Sequence, residues 1–280
     1  MPNEVLVIIG AGGMGMAASR RVGGGKTVLL GDYDEATLNT VAQALRDEGQ
    51  QVRPQVVDVS SRESVRALAR TAASLGPVRH IVHTAGLSPA QASVEAILRV
   101  DLLGTALVLD EFAEVIATGG AGVVISSMAG HLSPPPSPDV ELQLANTPSG
   151  DLLDLPSTAV GRFTNAGSAY SFSKRANQLR VRAASTAWGA KGARINSISP
   201  GVISTKMGQQ ELASPSGAGM RAMVEVSGAG RLGSPDDIAA AADFLLSDSA
   251  SFITGTDLLV DGGVVAAVST GRLGLSALRD

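Results

Sequence analysis

Tyr170 and Lys174 are the residues whose types and spacing most directly suggest chemistry. They lie four positions apart in a segment predicted to be helical, so both side chains fall on one face of the helix. A free tyrosine has a pKa of about 10 and is a poor base at neutral pH, but a nearby ammonium group favours the phenolate. The pair therefore predicts a general acid/base. For isolated residues, a packed aromatic ring and a solvated lysine are the alternative.

A glycine-rich turn follows the first apolar run of the chain. The sequence from Gly10 to Gly15 fits the pattern G-x-G-x-x-G, after Val5–Ile9 and before a helical segment. Glycines permit a tight turn and let a pyrophosphate approach the helix N-terminus, where free N–H groups favour anions. The pattern predicts a dinucleotide site that includes Gly10, Gly12, Gly13, Met14 and Gly15.

Two acids lie where strands are predicted to end. Asp32 follows the second strand, where a carboxylate can accept hydrogen bonds from ribose hydroxyls and repel a 2′-phosphate. Neither Arg nor Lys follows closely, which favours NAD over NADP; a plain turn acid is the alternative. Asp58 is similarly placed to meet the adenine amino group, or else to cap the helix that starts at Ser61. Their neighbours Tyr33 and Val59 complete this part of the predicted cofactor site.

Aliphatic runs alternate with longer helical segments along the chain. The helical periodicity covers Glu35–Glu48, Arg62–Leu75, Val94–Thr118 and Asp236–Leu246. The predicted strands are Val5–Ile9, Thr27–Leu30, Val52–Val57, His80–Thr84, Val123–Ser126, Arg194–Ile198 and Asp257–Val260. This alternation predicts an α/β fold: a Rossmann-type doubly wound, seven-stranded parallel sheet with helices on both faces. We expect residues 1–280 to form a single dinucleotide-binding catalytic domain.

Residues 130–167 break the alternation. They contain six prolines among Ser, Asn and Gly, so they cannot form a central strand or one long helix. A short helix is predicted at Val140–Ala145. The segment is predicted to be an insertion with one of two roles: it covers a sheet edge, or it contributes to the substrate site, since its ends flank Ser127 and Tyr170.

Composition narrows the class of protein. The 280 residues carry a net charge of −4, which argues against a nucleic-acid partner. There is no Cys, so disulfides, thiolate metal sites and a Cys nucleophile are excluded, and no spacing suggests a metal site. No apolar run approaches the ~18 residues of a membrane helix, and no basic segment precedes Val5–Ile9 as in a signal peptide. The sequence predicts a cytoplasmic protein with a small-molecule substrate and no membrane partner.

Taken in order, the motifs resemble those of the short-chain dehydrogenase/reductase family over nearly the whole chain. The matching segments are His83-Thr84-Ala85-Gly86, Val124–Gly130, Tyr170–Lys174, Arg194–Gly201 with Thr205, and Gly255–Gly263. Within that family the sequence is similar to bacterial 3α-hydroxysteroid dehydrogenase/carbonyl reductases, which also have an enlarged segment between the catalytic Ser and Tyr.

The resemblance assigns further residues. It implies that Ser127 hydrogen-bonds the substrate oxygen, with Ser126 as its rival, and that Lys174 also holds the nicotinamide ribose. Residues 206–228 look like the family's substrate lid, with core packing or an ordered helix as the alternative. A homodimer or homotetramer is also implied. The remaining implied cofactor contacts are Thr84, Ala85, Gly86, Pro200, Gly201, Ile203 and Thr205.

Two departures from the family pattern affect the site. The glycine turn is one residue shorter than the usual T-G-x-x-x-G-x-G, and Ile9 replaces the threonine. Asp101 stands where most members have a catalytic asparagine that holds a water in a proton relay from the lysine. An ionised aspartate accepts hydrogen bonds but cannot donate them. The resemblance therefore includes Asp101 among the catalytic residues, with an altered relay.

The function expected first is NAD(H)-dependent interconversion of a secondary alcohol and a ketone on an apolar or cyclic, steroid-like skeleton. The only basic residues of the lid, Lys206 and Arg221, are too few to favour a strongly anionic substrate. Two alternatives stay open: a dehydrogenase of a polar substrate such as a sugar or hydroxyacyl thioester, and a non-catalytic NAD-binding sensor.

Overall fold

The computed structural model describes residues 3–273. Its strands form one parallel sheet in the order β3-β2-β1-β4-β5-β6-β7. The strands are β1 (Val5–Ile9), β2 (Thr27–Asp32), β3 (Gln51–Val56), β4 (Val78–His83), β5 (Ile116–Ile125), β6 (Arg194–Pro200) and β7 (Asp257–Val260). The predicted fold class, a seven-stranded parallel sheet of doubly wound type, is confirmed.

Helices connect the strands and lie on both faces of the sheet. They are α1 (Gly13–Val22), α2 (Glu35–Asp47), α3 (Arg62–Leu75), α4 (Val94–Ile97), α5 (Gly104–Ala113), α6 (Ala129–Leu132), α7 (Pro138–Asn146), α8 (Ala166–Ala190), α9 (Lys206–Leu212), α10 (Gly217–Val226), α11 (Pro235–Leu246) and α12 (Val264–Ser269). A π-helical turn, Leu98–Leu103, joins α4 to α5. Within residues 3–273, no helix combines the length and apolar character needed to cross a membrane.

Side-chain caps fix where several helices begin. The side chains of Asp34 and Ser61 accept hydrogen bonds from the backbone of the first turns of α2 and α3. In front of α11, Ser234 and Asp237 form a reciprocal capping box, with Pro235 at the first helical position. Each such cap satisfies N–H groups that the helix leaves free, and typically contributes about 1 kcal/mol. Helix α11 therefore starts where its Ser-Pro pair predicts.

Apolar core clusters pack against both faces of the central strand β1. All five of its residues are completely buried. Val5, Val7 and Ile9 belong to the apolar cluster that includes α3 and α5, whereas Leu6 and Ile8 belong to the cluster that includes α1, α2 and α11. Full burial of one such side chain contributes about 1.5–3 kcal/mol. This arrangement explains why β1 is a continuous aliphatic run rather than an alternating one.

The predicted helix Val94–Thr118 is wrong at its C-terminal end. The helical path stops at Ala113, and β5 begins at Ile116. Ile116 is buried and pairs with Val78 of β4, and regular pairing resumes only at Ala121. Apolar residues continue past Ala113 at Val115, Ile116 and Ala117, so the apolar pattern does not mark the change from helix to strand. Periodicity therefore could not locate the boundary.

The predicted insertion, residues 130–167, contains most of α6, all of α7, short 3₁₀ turns and the first two residues of α8, but no strand. The short helix predicted at Val140–Ala145 is confirmed as part of α7. Arg175 of α8 donates through Nε and Nη2 to Oε1 of Glu141, at 2.9 and 2.6 Å. Arg180 donates from Nη1 to the carbonyl oxygens of Leu144 and Thr147, at 3.1 and 2.9 Å, near the end of α7. The insertion thus packs on α8 rather than along an edge strand.

Candidate active site

Tyr170 and Lys174 lie one turn apart in the first part of α8. The side chain of Asn165 accepts a hydrogen bond from Ser168 N at 2.9 Å, and Asn165 N donates to Ser168 Oγ at 3.3 Å. This capping box fixes where α8 begins, and therefore the positions of Tyr170 and Lys174 in its first turns. Lys174 Nζ lies 5.3 Å from the centre of the Tyr170 ring. The structure therefore brings the predicted pair together.

The two serines after β5 have different surroundings. Ser126 is buried, and its Oγ donates to the carbonyl oxygen of Lys174 at 2.7 Å, which ties α8 to the end of β5. Ser127 is half-buried, and its Oγ accepts a hydrogen bond from Ala129 N at 3.1 Å. The Ser127 hydroxyl is also close enough to that of Tyr170 to help lower its pKa. The geometry therefore supports Ser127 over Ser126 as the residue that faces a substrate.

Asp101 lies in the π-helical turn and is completely buried. Its Oδ1 is 3.4 Å from Lys174 Nζ, and its carboxylate accepts hydrogen bonds from Leu87 N at 3.1 and 3.3 Å. A Cβ on Gly86 would overlap Oδ1 of Asp101 and lie 3.3 Å from Lys174 Nζ. Only glycine fits at position 86 while Asp101 and Lys174 remain paired as described. Helical turns of the π type are frequent at functional sites.

Burial and charge oppose each other around the Tyr170 hydroxyl. Burial raises the pKa of Tyr170, Lys174 lowers it, and the carboxylates of Asp101 and Glu211 raise it again. Burial alone would lower the pKa of Lys174, but Asp101 and Tyr170 outweigh that effect and raise it. Burial raises the pKa of Asp101, while Lys174 and the Leu87 N–H lower it. The structure therefore holds Lys174 as an ammonium group beside a tyrosine.

The glycine turn leaves room for an anion at the start of α1. Gly10 has φ +107°, and a Cβ there would lie 2.6 Å from Ala85 N. A Cβ on Gly15 would overlap the carbonyl oxygen of Gly10, so the start of α1 can lie this close to the turn only with glycine at position 15. At Gly12, the N-cap of α1, no atom lies within 4 Å of where a Cβ would be. The open space at Gly12 fits a pyrophosphate, and Thr84 Oγ1 donates to Gly10 O at 2.9 Å, which fixes the glycine turn in the absence of the usual threonine.

The two acids at the strand ends are oriented by backbone groups. Asp32 accepts from Ala11 N at 2.6 Å through Oδ2 and from Asp34 N at 2.9 Å through Oδ1. Because each carboxylate oxygen has a second acceptor site, Asp32 can still bind ribose hydroxyls beside the glycine turn. Asp58 accepts from Ser60 N and Ser60 Oγ at 2.9 and 2.7 Å through Oδ1. The N-cap of α3 is Ser61, so Asp58 does not have the capping role that was its alternative.

The side chains of three predicted cofactor residues, Tyr33, Val59 and Met14, point in different directions: one is exposed and two pack in the core. Tyr33 is 75% exposed beside Asp32, where it can cover an adenine. The side chain of Val59 is buried in the core, so only its backbone can meet a cofactor. Met14 also packs partly buried in the core. The sequence pattern places these residues near the site, but it does not reveal which way each side chain points.

The segment after β6 lies beside the glycine turn. A Cβ on Gly13 would lie 3.2 Å from Cγ2 of Thr205, which is the N-cap of α9. Pro200 O accepts a hydrogen bond from Met128 N at 2.9 Å, which joins this segment to the Ser127 loop. Ile203 is buried, and Gly201 N bonds to the end of β7. The residues predicted to frame a nicotinamide therefore lie between the serine loop and the start of α1.

The histidines have structural surroundings. Burial lowers the pKa of His80 to about 4 and that of His83 to about 3, so both rings are neutral at physiological pH. His131 Nε2 lies 2.7 Å from Oδ2 of Asp257, a buried carboxylate at the start of β7. In the part of the chain that the structure describes, no three His, Asp or Glu side chains are grouped as a metal site.

The segment predicted to be a lid makes one contact near the candidate site that sequence reasoning missed. Residues 206–228 contain the ordered helices α9 and α10. Oε1 of Glu211 in α9 accepts a hydrogen bond from Ser88 Oγ at 2.6 Å, which joins the lid to the loop after β4. Ser88 is buried. The only signal in the sequence was one of two acids within this segment, and it gave no indication of this contact.

Comparisons with known proteins identify the family. Residues 3–138 match the model for short chain dehydrogenases, and residues 139–265 match a related model described as enoyl-(acyl carrier protein) reductase. A short-chain dehydrogenase/reductase of Alternaria brassicicola, bsc3, is 44% identical over 273 residues, covering 96% of this chain and 98% of that protein. A cis-4-hydroxycyclohexanecarboxylate dehydrogenase of Sinomonas cyclohexanicum is 31% identical, covering 94% and 97%.

The fold is also similar to solved structures. The crystal structure of gox2181 has a TM-score of 0.75 at 25% identity, covering 95% of this chain and 97% of that one. The predicted family is thereby confirmed, whereas the narrower resemblance to 3α-hydroxysteroid dehydrogenase/carbonyl reductases stays a prediction. The chain belongs to the short-chain dehydrogenase/reductase family, whose members are oxidoreductases that use a nicotinamide cofactor and act on CH–OH groups of small molecules.

Proposed function

We propose that this protein interconverts a secondary alcohol and a ketone with NAD(H), and that Tyr170 is its acid/base. The observation that carries the proposal is the position of the Tyr170–Lys174 pair. The pair lies on α8 beside Ser127, at the carboxyl end of β5, and Lys174 Nζ is 5.3 Å from the ring of Tyr170. Ligands of open parallel sheets bind at this end of the strands.

Proton transfer is assigned to Tyr170. In alcohol oxidation, its phenolate oxygen accepts the hydroxyl proton while Ser127 Oγ hydrogen-bonds the same substrate oxygen and orients it. In ketone reduction, the Tyr170 hydroxyl donates the proton to the carbonyl oxygen. Within the chain alone, burial keeps the pKa of Tyr170 above its ordinary value, and Lys174 is the main group that opposes this rise. The pKa would fall further beside the positive nicotinamide ring of bound oxidised cofactor. The nicotinamide cofactor, when bound, supplies the hydride acceptor or donor.

Asp101 is proposed as a positioning residue rather than a proton donor. It contacts Lys174 Nζ at 3.4 Å and is itself held by Leu87 N. In place of the asparagine found in most of the family, a carboxylate fixes the ammonium by charge. We propose that Asp101 thereby keeps Lys174 protonated and aimed at Tyr170.

The choice of NAD over NADP is proposed from Asp32. Its carboxylate lies at the end of β2 and accepts a hydrogen bond from Ala11 N in the glycine turn. A ribose 2′-hydroxyl can donate to it, whereas a 2′-phosphate would meet its negative charge. The residues proposed to hold the pyrophosphate and nicotinamide ribose are Gly10, Gly12, Gly13, Gly15 and Lys174.

An apolar cyclic alcohol is proposed as the substrate. Met207 of the predicted lid is 38% exposed, and its flexible thioether suits an adaptable apolar wall. Met223 and Met220 instead pack in the apolar cluster behind it, where the core-packing alternative holds. The relative from Sinomonas cyclohexanicum is named for a ring alcohol, cis-4-hydroxycyclohexanecarboxylate, which supports the cyclic secondary alcohol but also carries a carboxylate. The domain is proposed to span the whole chain, with residues 130–167 as an insertion and 206–228 as the lid.

A homodimer or homotetramer is proposed from the family resemblance. Size-exclusion chromatography with light scattering on the purified full chain tests it. A monomer at micromolar concentration would contradict the proposal.

The central experiment is oxidation of a panel of cyclic secondary alcohols, followed by NADH absorbance. Wild type is expected to turn over several of them, and Tyr170→Phe is expected to lose at least a hundredfold in kcat/KM, because general acid/base catalysis contributes roughly 10²–10⁴-fold. Lys174→Met is expected to lose a similar amount.

The matched control is Lys191→Met. Lys191 follows the last turn of α8, is exposed, and pairs only loosely with Glu114 at 3.5 Å. It should keep wild-type activity. Full activity in Tyr170→Phe would refute the mechanism, and NAD binding without turnover of any alcohol in the panel would favour the sensor alternative.

A further inference from the structure

A carboxylate on the inner side of the lid has no role in the mechanism above. Glu211 is half-buried in α9, and only its Oε1 is bonded, to Ser88 Oγ at 2.6 Å. One residue earlier, Gln210 Oε1 accepts from Gln91 Nε2 at 2.7 Å. These two contacts hold α9 against the loop after β4, so the lid is closed over the site and Glu211 is kept on its inner side.

Glu211 has no positively charged partner in the part of the chain that the structure describes. Among residues 3–273, no Lys, Arg or His side chain forms an ion pair with it, and Oε2 accepts no hydrogen bond from the protein. A partly buried carboxylate with an unused oxygen retains strong acceptor capacity, because each of its oxygens can accept two hydrogen bonds.

The charge of Glu211 affects the pKa values of Tyr170 and Lys174. After burial and Asp101, it raises the pKa of Tyr170, and it also contributes to the raised pKa of Lys174. The contacts agree with this effect: Glu211 is held by Ser88, and the adjacent Leu87 N donates to the Asp101 carboxylate that pairs with Lys174. Glu211 therefore lies near the reacting groups, on the side of α9. A substrate whose oxygen meets Tyr170 and Ser127 would extend toward Glu211 with its other end.

We propose that Glu211 is a specificity-determining residue, which accepts a hydrogen bond from a hydroxyl group that the substrate carries away from its reacting carbon. A hydroxyl is favoured over an ammonium group because Lys174 already supplies a positive charge to this site. An anionic group at that end is disfavoured by repulsion. The inference rests on the proposed function and deepens it: the substrate is a cyclic diol or hydroxyketone rather than a simple alcohol.

The test compares matched alcohols with and without the second hydroxyl. The probes are cyclohexanol and trans-cyclohexane-1,4-diol, extended to fused-ring alcohols and diols. Wild type should prefer the diols by kcat/KM. Glu211→Gln keeps the shape of the side chain but removes the charge, so it should reduce that preference about tenfold, mainly through KM, since hydrogen bonds to charged groups are about twice as strong as neutral ones.

A second readout separates substrate binding from lid structure. Glu211→Gln should move the pH profile of alcohol oxidation to lower pH, because removing a negative charge lowers the pKa of Tyr170. Ser88→Ala removes the lid contact but keeps the carboxylate, so it should retain the diol preference. The control is Glu225→Gln, an exposed acid on α10 of the same lid, which should leave both measurements unchanged.

The outcomes distinguish the two proposals. If cyclohexanol is oxidised and Glu211→Gln changes alcohols and diols by the same factor with an unmoved pH profile, Glu211 only fastens the lid and the inference is overturned. A preference for amino alcohols over diols would overturn the choice of a hydroxyl. If wild type oxidises no alcohol of either set with NAD, the proposed function itself fails, and this inference with it.

Discussion

The substitution Gly86→Ala tests whether the Asp101–Lys174 pair is held as the structure describes. A methyl group at this position would press into Oδ1 of Asp101 and come within 3.3 Å of Lys174 Nζ. To restore ordinary van der Waals contact, the carboxylate must move by about 1 Å. That shift would stretch its 3.1 Å hydrogen bond from Leu87 N beyond hydrogen-bonding range and lengthen the 3.4 Å ion pair.

Both activity and stability should fall. A displacement of 1 Å in a group that positions the chemistry can cost about a hundredfold in rate, so we expect kcat/KM to fall by about that factor. Overpacking a closely packed site costs about 1–3 kcal/mol. For a domain of this size, each kcal/mol shifts Tm by roughly 2–4 °C. Gly86→Ala should therefore melt several degrees below wild type.

The assays are initial rates of alcohol oxidation and thermal unfolding followed by circular dichroism. The control is Gly189→Ala, at an open position in α8 where a Cβ meets nothing within 4 Å. It should keep wild-type activity and gain roughly 0.5–1 kcal/mol of stability, because alanine is the better helix former. If Gly86→Ala shows kcat/KM within twofold of wild type and an unchanged Tm, the described placement of Asp101 is wrong.

Three further predictions follow from the same structure. Asp101→Asn should move the alcohol-oxidation profile to lower pH by about one unit, because the Asp101 charge raises the pKa of Tyr170. The Asp101 carboxylate lies at most about 9 Å from the centre of the Tyr170 ring, where a unit charge is worth about 1–2 kcal/mol. A move to higher pH would contradict it. Asp32→Ala should raise the kcat/KM ratio of NADP to NAD at least tenfold, and an unchanged ratio would remove Asp32 from cofactor choice. Trp188→Ala should cost about 3–5 kcal/mol in urea unfolding, because the side chain is 1% exposed and its Nε1 donates to Leu109 O at 3.2 Å; a loss under 1 kcal/mol would count against it.

Local sequence patterns were enough to predict the sheet and much of the site. Continuous aliphatic runs predicted the strands, and Tyr170 and Lys174 meet because four residues make about one helical turn. The glycine turn and Asp32 lie together because adjacent parallel strands end at the same edge of the sheet. In each case, the spacing of residues along the chain is enough to predict which of them meet.

Other features depend on contacts between distant segments. The surroundings of Asp101 require the π-helical turn to meet the loop after β4, and no residue pattern in 98–103 indicated that turn. Glu211 meets Ser88 across 123 positions of sequence, so neither residue alone suggested the contact. The helix end at Ala113 was missed because a buried helix and a buried strand share the same apolar pattern.

The two arginines that fasten α7 to α8 have an evolutionary consequence. Arg175 and Arg180 lie on the helix that carries the acid/base pair, while their partners Glu141, Leu144 and Thr147 belong to the insertion. Transplanting residues 130–167 into a relative without position 175 would leave Glu141 without its cation, and without position 180 the carbonyl groups of Leu144 and Thr147 would lose their donor. We therefore expect residues 130–167 and positions 175 and 180 to change together among relatives.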